Sequence, residues 1–134
     1  MKKVLIGLLI ALLVGCSQGR TQKNASTSGN SISVFPKILA LKDGKKESAQ
    51  IDIYGQEFEK LKKLCIESDK DLAGMIDSIV KKEKAYGDNS ATNLDTLKSF
   101  NDMAESGFER KPGKCMEIYL TLNNNLKELN ESNK

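Results

Sequence analysis

The sequence contains no histidine and no tryptophan, and only two of its 134 residues are proline. Histidine is the commonest general base in enzymes, so its absence removes the usual Ser-His and Cys-His catalytic arrangements. It also removes the ligand that completes most zinc sites built on a few cysteines. We therefore expect a protein that is not an enzyme and that has no metal site and no cofactor.

Carboxylates are plentiful, but none lies in an apolar stretch that would raise its pKa for acid catalysis. The pairs Asp69/Asp71 and Glu57/Glu59 are explained as charge at a helix start and as solvated surface. The segment KDGK at residues 42–45 lacks the flanking pattern of a glycine-rich phosphate loop. Neither the carboxylates nor the KDGK segment favours catalysis.

The only long uncharged run, residues 4–14, is too short to span a bilayer, which takes about 20 apolar residues. Lys2 and Lys3 precede it, and small residues follow it, as in a secretory signal peptide. The run ends in LVGC, which resembles the lipobox of bacterial lipoproteins and places the lipidated cysteine at Cys16. The alternative is an ordinary signal peptide with a chance cysteine.

The resemblance implies that residues 1–15 are a signal peptide and that the acylated Cys16 becomes the first residue of the mature chain. Lipoproteins of this type carry three acyl chains, which gives stable anchoring without a membrane-spanning helix. The next residue is Ser17 rather than Asp. In lipoproteins of Gram-negative bacteria this implies export to the outer membrane, with the chain facing the periplasm.

The mature chain has no large excess of either charge. Without Lys2 and Lys3 the 21 basic residues fall to 19, against 18 acidic ones. Nucleic acids and anionic membrane surfaces both call for a concentrated basic excess, so neither is expected as the main partner.

Residues 18–33 are rich in Ser, Asn, Thr and Gly and have few apolar side chains to bury. Such a segment cannot offset its ordering entropy, so we predict a lipidated N-terminus and flexible tether over residues 16–34. The folded domain is then 35–134. It is small for a self-sufficient core, and a covalent cross-link would help it.

Once Cys16 is lipidated, two cysteines remain in an exported, oxidising compartment. A disulfide between Cys65 and Cys115 would close a loop of about 50 residues and contribute roughly 4 kcal/mol. The alternative is two buried free thiols.

Apolar periodicity predicts four helices. The first covers 56–67, the second follows a cap at residues 68–71 and ends near Gly87, and the third runs from about 92 to 107. The fourth begins near Pro112 and carries a long apolar stripe: Cys115, Tyr119, Leu122, Leu126 and Leu129. Residues 33–36 and 51–53 suggest short extended pieces around a turn at 42–45. The fold class is an all-α, compact four-helix bundle.

The helix order and cysteine positions resemble those of the pilotins of type II secretion systems, which are small lipoproteins with a disulfide-stapled four-helix fold. The features that carry the resemblance are the lipobox at Cys16, the polar tether, LKKLC ending at Cys65, and PGKC ending at Cys115 with Tyr119 soon after it. The resemblance implies a protein that binds the C-terminal helix of a secretin subunit and targets it to the outer membrane. We expect it to act as a monomer.

Several large apolar residues lie beyond the stripes that suffice for a core, namely Met75, Phe100, Met103, Met116 and Ile118. Methionine is common on surfaces that accept an apolar partner helix, so these five are the predicted groove residues. The alternative is that the inner faces of a compact bundle are simply wide. A second functional class, an inhibitory or exclusion lipoprotein acting on phage, plasmids or lytic enzymes, fits the same architecture.

Overall fold

The computed structural model of the chain describes residues 33–109 and 111–133. This part contains five helices and no strand: α1 (Val34–Lys42), α2 (Ser48–Leu64), α3 (Asp69–Ala85), α4 (Asn93–Gly107) and α5 (Cys115–Ser132). The predicted all-α fold is confirmed, and the helix count is corrected from four to five. The signal peptide, the lipidation site Cys16 and nearly all of the predicted tether lie outside the described residues.

The additional helix comes from the segment for which short extended pieces were predicted. The prediction for residues 33–36 is wrong: Ser33 precedes α1 and residues 34–36 form its first turn, where Pro36 is accommodated because its missing N–H would have no intrahelical partner. Residues 51–53 belong to α2, in which Tyr54, Phe58 and Leu61 point into the core at helical spacing. The predicted turn between them is present, and Gly44 supplies its positive φ of 75°.

The starts of α3 and α4 follow the sequence prediction. The Ser68 hydroxyl accepts a hydrogen bond from the N–H of Asp71 at 3.2 Å, and the Thr92 hydroxyl accepts one from Asp95 at 3.1 Å. Each bond satisfies one of the free N–H groups of a helix N-terminus. Helix α3 is followed by Gly87 with a φ of 106°, as predicted from its glycine.

The core lies mainly among α1, α2, α3 and α4. Its largest fully buried side chains include Tyr54, Phe58, Leu72, Ile76 and Phe100. Helix α5 adds only Cys115 and Ile118 as buried residues. No helix in the described part of the chain is long and apolar enough to cross a membrane.

The carboxylate of Asp43 joins three helices at the end of α1. It accepts hydrogen bonds from the Tyr54 hydroxyl at 2.7 Å, the Asn93 side-chain amide at 2.7 Å and the backbone N–H of Leu94 at 3.2 Å. Burial raises the pKa of Tyr54 well above its usual value, and the hydrogen bond to Asp43 adds to the shift. The network fixes the end of α1 against α2 and the start of α4.

The predicted disulfide is present and links Cys65 to Cys115, with 5.4 Å between their Cα atoms. The backbones pair beside it, where Ile66 donates to Gly113 at 3.0 Å and Gly113 donates to Leu64 at 2.9 Å. A side chain at Gly113 would collide with the ring of Phe108. A glycine is therefore needed where the backbone passes so close to this ring. The end of α2 and the start of α5 are therefore fixed together.

Candidate functional site

The structure separates the five predicted groove residues. Phe100 is fully buried in the core, Met75 and Ile118 are buried, and Met103 is half-buried. Only Met116 has a largely exposed side chain, at 41%. Any groove that a partner could reach therefore involves Met116 far more than Phe100.

Met75 and Met116 are brought together in a shallow groove between α3 and α5. This groove, which we call the methionine groove, has a volume of about 370 Å³ and is also lined by Gly74, Ser78 and Tyr119. Ser78 and Tyr119 are joined by a hydrogen bond of 3.2 Å between their hydroxyls across the helix pair. Phe100 and Met103 lie on α4 and do not line it.

A second cavity of about 310 Å³ is bounded by α3, the start of α4 and the distal half of α5. Its apolar lining includes Ile79, Leu122, Leu126 and Leu129, and its polar lining includes the acidic residues Glu83, Asp88 and Asp95. We call it the acidic pocket. Its three leucines belong to the apolar stripe predicted for the last helix and were not among the predicted groove residues.

The leucines of α5 are open because the helix buries only the first part of its apolar stripe. Leu122 and Leu126 are half-buried, and Leu129 is 62% exposed. Polar contacts help hold this part of α5 on α3, including a hydrogen bond from the Lys82 ammonium to the Asn123 side chain. A stripe of i, i+4, i+7 leucines thus lines the pocket, with Leu122 and Leu126 packed partly against the core and Leu129 exposed.

The acidic pocket has a negative character, since the residues known to line it, all within 79–129, include three acids and no Lys or Arg. Burial raises the pKa of Glu83, and the nearby charge of Asp88 raises it further. The pKa of Asp88 is lowered by hydrogen bonds from the hydroxyl and backbone N–H of Ser90. No cation among the described residues is paired with Glu83, and a basic group entering the pocket would supply one.

One cluster of potential metal ligands exists among the described residues, formed by Cys65, Glu67 and Cys115. The two sulfurs are joined in the disulfide, so neither offers a thiolate. The Glu67 carboxylate accepts backbone hydrogen bonds from the start of α5. The donor set does not suit a metal ion.

No protein-family model, curated protein or solved structure matches this chain.

Proposed function

We propose that the protein is a pilotin-type lipoprotein of the outer membrane, facing the periplasm, which binds the C-terminal helix of a secretin subunit for type II secretion. The observation that carries the proposal is the acidic pocket, where three leucines of α5, two half-buried and one exposed, lie beside three carboxylates. Such a surface suits an amphipathic helix with apolar anchors and basic flanks.

The leucine spacing favours a helix as the bound element. Leu122, Leu126 and Leu129 follow one another at i, i+4 and i+7 along one face of α5. A partner helix presents its own apolar ridge at the same spacing, so the two ridges can interdigitate. The volume of about 310 Å³ admits a few large side chains, which is the number of anchors that usually dominate an interface.

The three carboxylates provide selectivity. Glu83, Asp88 and Asp95 attract Lys or Arg beside the apolar ridge and repel acidic segments. Because exposed charges are screened by salt, association should slow as the ionic strength rises. Asp95→Asn should lower the association rate of a basic peptide, whereas Asp52→Asn, an exposed acid on α2, serves as the matched control.

The proposal includes acylation of Cys16, which would carry the bound secretin subunit with the lipoprotein to the outer membrane. Cys16→Ala should leave an uncleaved or soluble periplasmic form. Mass spectrometry of the mature wild-type N-terminus tests this step directly. An unmodified N-terminus downstream of Cys16 would contradict it.

The binding site is tested with α5 variants of matched exposure. Leu129 lines the acidic pocket and is 62% exposed, whereas Leu120 on the same helix is 49% exposed and lies outside the pocket. With a fluorescent peptide of the secretin C-terminus, Leu129→Asp should weaken binding by about 30-fold, which corresponds to about 2 kcal/mol. Leu120→Asp should bind as the wild type does.

The circular dichroism spectrum and melting temperature of both variants should stay close to wild type, because both positions are exposed. If the wild-type protein does not bind the peptide, the secretin proposal fails. Equal affinity of the two variants would instead remove the acidic pocket as the binding site.

A further inference from the structure

Helix α1 presents apolar side chains on two opposite faces. Pro36, Leu39 and Ala40 are buried against the rest of the molecule. On the opposite side, Val34, Ile38 and Leu41 are 59%, 40% and 47% exposed. These three follow one another at i, i+4 and i+7, so they form one stripe, which we call the outer face of α1.

Lysines flank this stripe on both sides. At 100° per residue, Lys37 lies about 60° from Val34 in one direction, and Lys42 lies about 80° from it in the other. Helix α1 contains no acidic residue, and Lys45 and Lys46 follow it. An apolar stripe between lysines is the pattern of a helix that lies in a membrane interface, where lysine stems extend towards the headgroups.

The segment that contains α1 is more basic than the chain as a whole. Lys42 is paired with Asp77 at 2.7 Å, which neutralises part of its charge. Asp43, the nearest acid in sequence, is engaged by Tyr54 and by the start of α4. Lys45 and Lys46 follow the helix and precede Glu47, so residues 34–47 contain four lysines against two acids, a basic surplus of two. Anionic headgroups complement that surplus.

The position of α1 in the chain places it close to the predicted acyl anchor at Cys16. It is the first described helix, and residues 17–33 separate it from Cys16. A flexible tether of that length, as predicted from the sequence, would span about 20–25 Å on average. An acyl anchor at Cys16 would thus hold α1 near the bilayer at a millimolar-scale effective concentration, at which even a weak interfacial helix is largely bound.

We propose that the outer face of α1 docks on the anionic phospholipid bilayer that holds the acyl chains of Cys16. The inference rests on the anchor included in the proposed function, and it is independent of the secretin-binding pocket. Docking would restrict the orientation of the domain, because α1 is fixed to α2 and α4 through Asp43. Contact with the lipid would then determine which face of the domain is turned to the membrane, as well as the distance between them.

The sequence contains no tryptophan, so a single introduced tryptophan reports its own surroundings. We would place it at Ile38 in the purified acylated chain (Ile38→Trp) and at Leu120 as a control of similar exposure on α5 (Leu120→Trp). Both chains are reconstituted in vesicles of phosphatidylcholine and phosphatidylglycerol with brominated acyl chains. We expect the emission of Ile38→Trp to shift to the blue and to lose most of its intensity, while that of Leu120→Trp changes little.

A second variant tests the role of charge. Adding Lys37→Glu to Ile38→Trp should reduce quenching in vesicles that contain phosphatidylglycerol. Equal quenching at positions 38 and 120, or none at either in protein that floats with the vesicles, would overturn the docking proposal. A blue shift at position 38 that grows with protein concentration in the absence of brominated lipid would also overturn it. In that case a second copy of the chain would cover the outer face of α1.

Protein that fails to float with the vesicles would overturn the anchor, and the docking proposal with it. Binding of the secretin peptide to the same samples is measured separately, so failure of the pocket is distinguished from failure of the docking.

Discussion

The carboxylate of Glu67 accepts a hydrogen bond from the backbone N–H of Cys115 at 3.0 Å, across 48 residues of sequence. Its other oxygen accepts one from Met116 at 2.9 Å. These two N–H groups have no partner within α5, because they belong to its first turn. Together with the Cys65–Cys115 disulfide, Glu67 fixes the start of α5 while the leucines at its other end line the acidic pocket.

Replacing Glu67 with Gln should destabilise the fold by about 0.5–2 kcal/mol, the usual cost of losing a side-chain cap. The neutral amide loses the favourable charge at the helix N-terminus and turns a donor towards one of the two N–H groups. Urea unfolding measures the change, with Glu109→Gln as an exposed control. Equal stability of the two variants would show that the cap contributes nothing.

The Cys65–Cys115 disulfide closes a long loop, with 50 residues of sequence separation. Its removal should lower the free energy of unfolding by about 2–5 kcal/mol, because the cross-link restricts the conformations of the unfolded chain and its loss raises their entropy. The double variant Cys65→Ser/Cys115→Ser should unfold at lower denaturant than the oxidised wild type. Adding reductant should lower the unfolding midpoint of the wild type to that of the double variant and should leave the midpoint of the variant unchanged. A further fall of the midpoint in the reduced variant would contradict the assignment of the disulfide.

The parts of the fold that could be predicted from the sequence are those with local signals. Ser68 and Thr92 mark helix starts because a hydroxyl precedes an acid at capping distance, and Gly87 marks a helix end by its positive φ. Helix α1 was not predicted, because its apolar residues lie on two faces and give no single-sided helical pattern. The Asp43 network joins residues about 50 positions apart, and no local pattern encodes it.

The residues of the candidate site could likewise not be predicted from local patterns alone. The sequence identified Phe100 as a groove residue and Leu126 as part of the core stripe, whereas the structure buries Phe100 and packs Leu126 only partly against the core, at the edge of the acidic pocket. Periodicity tells which side of a helix is apolar, but other helices decide how much of that side is covered. The pairing of Met75 with Met116 in one groove likewise depends on how α5 lies on α3.

The buried hydroxyl of Tyr54 gives a pH dependence whose sign follows from its pKa. Folding raises the pKa of Tyr54 through burial and through its contact with Asp43, so the folded state favours the neutral phenol. The unfolded chain ionises near pH 10, and the stabilisation is present below that pH and is lost as the pH rises above it. The melting temperature of the wild type should fall more steeply between about pH 9 and 11 than that of Tyr54→Phe. Parallel profiles would show that Tyr54 contributes no pH-dependent term.

The last prediction distinguishes the acidic pocket from the methionine groove. Met116 is 41% exposed and lines the methionine groove but not the acidic pocket, so Met116→Asp should fold and should leave binding of the secretin peptide within about twofold of wild type. A carboxylate at Leu129 would instead lie at an apolar contact beside Glu83, Asp88 and Asp95, where it also repels the basic flanks of the partner.

Affinities for one fluorescent peptide, measured in parallel with melting temperatures, decide between the two sites. If Met116→Asp abolishes binding while Leu129→Asp preserves it, the partner helix lies between α3 and α5 over Met75 and Met116, and the open leucines of α5 are not the contact. If Leu129→Asp alone weakens binding, the apolar anchors of the partner enter the pocket beside the carboxylates. Because α5 is fixed at Cys115, binding at its distal half would leave the disulfide end of the fold unchanged.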